Sequence, residues 1–267
     1  MTKSKFAVLG DPIEHSLSPA IHLAAYAQLG LDWGYERVLV RSGELANFSS
    51  AEGLGFSGFS VTMPLKAEAA SIASHSDELV RQLGIANTLI RSDGGLVAFN
   101  TDVFGITKAL DEFWPTNPAS IAILGAGATA RSALLAFHQN APSAKVTVYA
   151  RESTDTNPIT KLADSLGLLA SVRALTEFGT DHELTVSTIP GQSSFASSAE
   201  QNGWLLDVNY SNPDQLFNGL FESHKVVSGK EMLLWQAIAQ IRLFMTLDAS
   251  KELPNETAVL RAMTAAL

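Results

Sequence analysis

The feature that most constrains the fold is a glycine turn between a short apolar run and a helical one. Ile121-Ala122-Ile123-Leu124 leads into Gly125-Ala126-Gly127-Ala128-Thr129-Ala130. A strand that turns at once into a helix suits this order of residues. Gly125 permits the tight turn, Gly127 lets the backbone approach a pyrophosphate, and Ala130 allows the helix to pack closely on the strand. The N–H groups that open such a helix are donors for phosphates. Gly125, Ala126, Gly127, Ala128, Thr129 and Ala130 are therefore candidate cofactor-binding residues. A glycine turn that merely packs a helix is the alternative, and the surrounding pattern weighs against it.

That pattern alternates. After the turn, strands are predicted at Ile121–Leu124, Val146–Ala150, Leu184–Ile189, Leu205–Val208 and Lys225–Val227, as in a nucleotide-binding sheet. Before it, strands at Lys5–Leu9, Tyr35–Val40 and Gly58–Val61 alternate with helices at Ser18–Leu29, Ser42–Ser50 and Pro64–Ala73, which predicts a parallel sheet. Ser18-Pro19 reads as an N-cap with proline at the first helical position. Asn87–Arg91 and Leu96–Phe99 flank the turn-rich Ser92-Asp93-Gly94-Gly95 as a hairpin. A helix from Val103 to Phe113 ends near Pro115 and Pro118, and the helix Lys230–Leu247 is long and apolar enough to return to the first domain. The fold class is α/β with two domains: an N-terminal α/β domain of residues 1–103 plus 236–267, and a Rossmann-like domain of residues 104–235.

At 267 residues both domains can bury a core. The formal charge of −9 argues against nucleic acid, and it opposes any anionic ligand, which must be met by local cations. No apolar run reaches membrane-spanning length, and Met1-Thr2-Lys3-Ser4-Lys5 leads into a strand, so the chain is read as cytoplasmic, a monomer or homodimer. Cysteine is absent and the six histidines show no helical ligand spacing, so no metal is expected.

Two cations in polar segments stand out, Lys66 and Arg151. Lys66 closes Ser60-Val61-Thr62-Met63-Pro64-Leu65-Lys66, and Asp102 sits in Asn100-Thr101-Asp102-Val103-Phe104-Gly105. An aspartate that orients a lysine makes a proton-transfer unit. Arg151 follows the strand Val146–Ala150, where an acidic residue would suit a ribose hydroxyl and an arginine suits a 2′-phosphate. This points to NADP, with NAD possible because Glu152 is a poor neighbour for a phosphate. Ser16 and Ser18 put two hydroxyls beside a helix N-terminus, a suitable place for a carboxylate, and Ser18 alone reads equally well as the N-cap. Asn87 can donate to and accept from hydroxyls, or simply hold a turn.

These segments, with Gly10-Asp11-Pro12-Ile13-Glu14-His15-Ser16-Leu17-Ser18-Pro19, Ala86-Asn87-Thr88 and Met232-Leu233-Leu234-Trp235-Gln236-Ala237, occur in order along the chain. Together they resemble the shikimate dehydrogenase family essentially from end to end. The resemblance implies reversible, NADP-dependent reduction of 3-dehydroshikimate to shikimate, with the first domain binding substrate and the second NADP. It implies Lys66 and Asp102 as the catalytic pair, and Ser16, Ser18, Thr62, Asn87, Tyr210 and Gln236 beside them as substrate-binding residues. Thr188, Gly229 and Met232 join Arg151 on the cofactor side. Leu23 and Ser60 stand where the family commonly has asparagine, Ala128 where it has glycine, and Ala150 where it has asparagine. A quinate/shikimate dehydrogenase using NAD, and a non-catalytic nucleotide-binding sensor, are the alternative readings.

Overall fold

A computed structural model describes residues 4–111, 118–189, 200–210, 217 and 220–267. The chain forms two compact units, Met1–Thr101 with Leu234–Leu267, and Asp102–Leu233. It is mixed α/β throughout, with one six-stranded sheet in each unit.

In the first unit the described strands are β1 (Lys5–Gly10), β2 (Gly34–Leu39), β3 (Gly58–Val61), β4 (His75–Ser76), β5 (Thr88–Ser92) and β6 (Gly95–Phe99), in the order β2-β1-β3-β5-β6-β4. The parallel pairing expected from the alternating pattern holds for β1, β2 and β3, and the hairpin strands join the same sheet in antiparallel sense: β1 pairs in parallel with β2 and β3, while β5 runs antiparallel to both β3 and β6. The 87–99 hairpin enters the sheet as its continuation, because a tight turn can only join antiparallel strands. The core collects Leu9, Phe59, Val61, Leu65, Leu89 and Ala98.

Helices α1 (Ser18–Gln28), α2 (Leu45–Ser50), α3 (Lys66–Ile72) and α4 (Glu78–Leu83) surround this sheet. α2 and α3 start later than the sequence suggests. Met63–Pro64 is a cis peptide and belongs to the turn before α3, while Glu68 carboxylate oxygens accept from Gly43 and Leu45 N–H at 2.9 Å where α2 begins. Ser18 is not the N-cap. Leu17 holds that position without a side-chain bond, and Ser18 is the first helical residue. α4, capped by Asp77, and the two-residue β4 are too short to leave a periodic signal.

The second unit carries α5 (Asp102–Leu110), β7 (Ser120–Leu124), α6 (Ala128–Asn140), β8 (Lys145–Ala150), α7 (Asn157–Leu166), β9 (Ala170–Ala174), β10 (Leu184–Ser187), β11 (Trp204–Asp207) and β12 (Val226–Ser228). α5 is described to Leu110, while Phe113 and Pro115 lie outside the described residues. All sheet pairs are parallel, in the order β12-β11-β10-β7-β8-β9. This is the doubly wound order of dinucleotide-binding folds, reversing direction between β7 and β10. β7 is buried from Ile121 to Leu124, as a strand covered on both faces must be. β9 escaped the sequence reading because Ser171, Val172 and Arg173 are exposed and show no alternation.

Helix α8 (Gly229–Thr246) passes from the second unit into the first at Leu234. Its C-terminal half stacks Phe244 on Phe6, ring centroids 4.2 Å apart, and α9 (Glu256–Ala265) packs against α1. A partly buried ion pair of Arg242 with Glu256 ties α8 to α9, with Arg242 Nε donating at 2.8 Å. No helix among the described residues is long and apolar enough to cross a membrane.

Candidate active site

β1 and β3 end, and β5 begins, at one edge of the first sheet, because β3 and β5 are antiparallel. The loops leaving β1 and β3 are locked together there. Asp11 N–H donates to the Met63 carbonyl at 3.1 Å and Thr62 N–H to the Leu9 carbonyl at 2.9 Å. A Cβ added at Gly10 would stand 2.5 Å from Thr62 Cγ2 and 2.8 Å from the Met63 oxygen, so this contact requires glycine.

On that frame sit the expected residues of the first unit. Ser16 and Ser18 are buried, with Ser18 N–H donating to Ser16 Oγ at 3.3 Å. Arg37 clamps the loop by donating from Nε to the Ser16 carbonyl at 2.9 Å and from Nη2 at 2.5 Å. Ser16 therefore supplies the side-chain oxygen at the helix start. Thr62 and Lys66 are half-buried on the next loop. Lys66 opens α3, and its carbonyl accepts from Ala86 N–H at 2.8 Å, while Val61 N–H donates to the Asn87 carbonyl at 2.7 Å. These two bonds bring Asn87 beside the Thr62–Lys66 segment.

Asn87 is 2% exposed and fully engaged at its oxygen, which accepts from Thr101 N–H and from Thr88 Oγ, both at 2.9 Å. Its Nδ2 donates to Thr101 Oγ1 at 2.8 Å. Gln236 is buried on α8, and Gln240, one turn later, reaches the same group through its side chain. Of the residues in this group, the sequence marks Ser60 only as a departure from the family pattern, and it assigns no role to Tyr35, Thr88, Thr101 or Gln240. The available signal was polar side chains in otherwise apolar strands and helices, at Ser60 between Phe59 and Val61 and at Gln240 between Ala239 and Ile241.

In the second unit Asp102 is the buried first residue of α5, where a carboxylate faces the positive end of the helix. The glycine turn lies at the reversal point of the sheet. Gly125 has φ of +100°, and an added Cβ there would stand 2.5 Å from Thr188 Oγ1. Thr188 closes the gap between β7 and β10, donating from both N–H and Oγ1 to the Leu124 carbonyl at 2.8 Å. Gly127 is the N-cap of α6, makes no side-chain cap bond, and would carry a Cβ into open space. Ala130 is fully buried under the helix. The N–H groups opening α6, beside an exposed glycine, fit a pyrophosphate, and the exposed Arg151 after β8 fits a phosphate further along the same sheet edge. Gly229 follows β12 against the Asp207 and Val208 backbone, Met232 is buried one turn later, and Tyr210 is half-buried after β11.

Asp207, at the end of β11, was overlooked. Its Oδ1 accepts from Asn209 N–H at 3.2 Å, while Oδ2 is buried without a hydrogen-bond partner among the described residues. Burial pushes this carboxyl up to about 6; the Asn209 N–H and the nearby Ser187 hydroxyl, which closes no bond of good geometry, pull it back only in part.

The family model for the shikimate dehydrogenase substrate binding domain matches residues 8–89. A relative from Ignicoccus hospitalis named shikimate dehydrogenase (NADP(+)) is 31% identical over 249 residues, covering 90% of this chain and 92% of its own. The crystal structure of Mycobacterium tuberculosis shikimate dehydrogenase is similar with a TM-score of 0.78 and 32% identity, over 98% of both chains. Shikimate 5-dehydrogenase from Thermus thermophilus, in complex with NADP(H) and shikimate, is similar with a TM-score of 0.79 and 29% identity, over 99% of this chain and 100% of that one. By likeness along its whole length, the chain belongs to the shikimate dehydrogenase family.

Proposed function

We propose that the protein is an NADP-dependent shikimate dehydrogenase that interconverts 3-dehydroshikimate and shikimate. The observation that carries the reading is the end-to-end likeness to enzymes of that name, in a chain whose strand β7 runs into a glycine turn that fits a dinucleotide. Residues 1–103 with 236–267 form the substrate domain and residues 104–235 the NADP domain.

The glycine turn Gly125–Ala130 would hold NADPH, which would supply the hydride for reduction of the C3 carbonyl carbon. Lys66 then supplies the proton to the oxygen that becomes the C3 hydroxyl, and accepts it in the reverse direction. Asp102 holds the Lys66 ammonium and a substrate hydroxyl. Ser16 and Ser18 bind the carboxylate, assisted by the α1 N-terminus, and Thr62, Asn87, Tyr210 and Gln236 orient the ring. Arg151 meets the 2′-phosphate of NADP, with Thr188, Gly229 and Met232 lining the remaining cofactor side.

Initial rates with shikimate or quinate, each with NADP or NAD, test this beside a Lys66→Ala variant. The expected result is fastest turnover with shikimate and NADP, lost by at least a factor on the order of 100 in the variant. Turnover chiefly with quinate and NAD would assign the protein to that other activity, and undiminished rates in Lys66→Ala would remove the lysine from the mechanism.

A further inference from the structure

The loop that carries Ser16 is held by a cation from the neighbouring strand. β2 runs parallel to β1 with Arg37 opposite Val8, and from there the guanidinium donates twice to the Ser16 carbonyl, from Nε at 2.9 Å and from Nη2 at 2.5 Å. Two donors of one planar fork hold that carbonyl more firmly than a rotating ammonium would. The loop also closes on itself, with Ser16 N–H donating to the Ile13 carbonyl at 3.1 Å.

Once the Ser16 peptide is fixed, its hydroxyl is fixed by Ser18 N–H, which donates to Oγ at 3.3 Å. Ser16 Oγ receives this bond and gives none among the described residues, and Ser18 Oγ makes none there. Both hydroxyl protons therefore remain for an acceptor.

The charge of Arg37 is available as well. Glu36, its neighbour on β2, is taken by Lys5 at 3.0 Å, and no carboxylate among the described residues pairs with Arg37. Asp11 and Glu14 lie in the loop before Ser16, in a chain of net charge −9, and both oppose an anion there. Glu14 is turned back on the backbone, accepting from Ile13 N–H at 3.2 Å. Arg37 is the cation bonded to this loop that offsets them.

We propose that Arg37 is a positioning residue for a carboxylate ligand: it fixes Ser16 so that the Ser16 and Ser18 hydroxyls stay available to one carboxylate, and its charge offsets Asp11 and Glu14. The inference rests on the carboxylate-binding role proposed above for the two serines, and adds the residue that holds them.

The test compares wild type with Arg37→Met, which keeps the stem and removes fork and charge, and Arg37→Lys, which keeps the charge. KM for shikimate, for its methyl ester and for NADP is measured with kcat, and Ser18 N–H is followed by NMR as shikimate is added without cofactor. Loss of charge-assisted hydrogen bonds predicts a shikimate KM raised about tenfold in Arg37→Met, with kcat and the NADP KM unchanged. The uncharged ester should lose less than shikimate, and Arg37→Lys should fall between wild type and Arg37→Met. A wild-type shikimate KM in Arg37→Met would overturn the proposal, as would equal losses for acid and ester or a parallel rise in the NADP KM, since these mark a general disturbance of the fold. Wild-type protein that does not turn over shikimate would defeat the proposed function instead. The Ser18 N–H signal then decides the inference, which stands if shikimate shifts it in wild type and more weakly in Arg37→Met, and falls if shikimate leaves it unmoved.

Discussion

The imidazole of His22 lies stacked on the ring of Tyr35, with centroids 4.1 Å apart and planes 16° from parallel. Tyr26 meets the imidazole edge-on, its hydroxyl 3.2 Å from His22 Nδ1. His22 is wholly buried, and desolvation lowers its pKa to about 3, with only partial opposition from the Gln240 side chain.

A histidine depressed in this way contributes stability that is complete above its unfolded value of 6.5 and is lost as pH falls toward about 3. The expected loss is about 1.4 kcal/mol per pH unit below 6.5. Urea unfolding between pH 7 and 4.5 should show this slope in the wild type and a shallower one in His22→Gln, though that variant starts from lower stability. Parallel slopes would rule out His22 as the source.

Asp207 has the opposite sign. Its folded pKa of about 6 lies above the ordinary 3.8, so between these values the folded state holds more protons and stability falls as pH rises. Above pH 6 the buried charge costs about 3 kcal/mol, as an order of magnitude. Asp207→Asn should therefore melt higher than wild type at pH 7.5 and lose that advantage by pH 4. A gain of the same size at both pH values would contradict this account.

Gly125→Ala should destabilise the second unit by about 2 kcal/mol, because its φ of +100° disfavours a side chain and the new methyl would press on Thr188. The same change should weaken NADP binding more than shikimate binding. Chemical denaturation and NADP titration measure the two effects, and wild-type values in both would show that the turn has room to relax.

Arg151→Gln removes the exposed cation after β8. A charge-assisted bond to phosphate predicts a KM for NADP raised by roughly 10- to 100-fold, with the KM for NAD little changed. Equal effects on both cofactors would mean that Arg151 does not read the 2′-phosphate.

The sequence by itself determined the α/β class, the glycine turn between β7 and α6, and the segments around Ser16, Lys66, Asp102 and Gln236. Such features are local: strand and helix periodicities, turn glycines and short motifs are written in neighbouring residues. The tertiary structure alone decided that β5 joins β3 in antiparallel sense, that Ser16 rather than Ser18 accepts at the start of α1, and that Asp207 is buried with an unpaired oxygen among the described residues. It also decided the orientation of Asn87. Ser60 and Gln240 are separated by 180 positions, and a polar side chain within an apolar run does not reveal its partner. Hydrogen-bond direction depends on which donors and acceptors burial forces together, and only the folded chain specifies those.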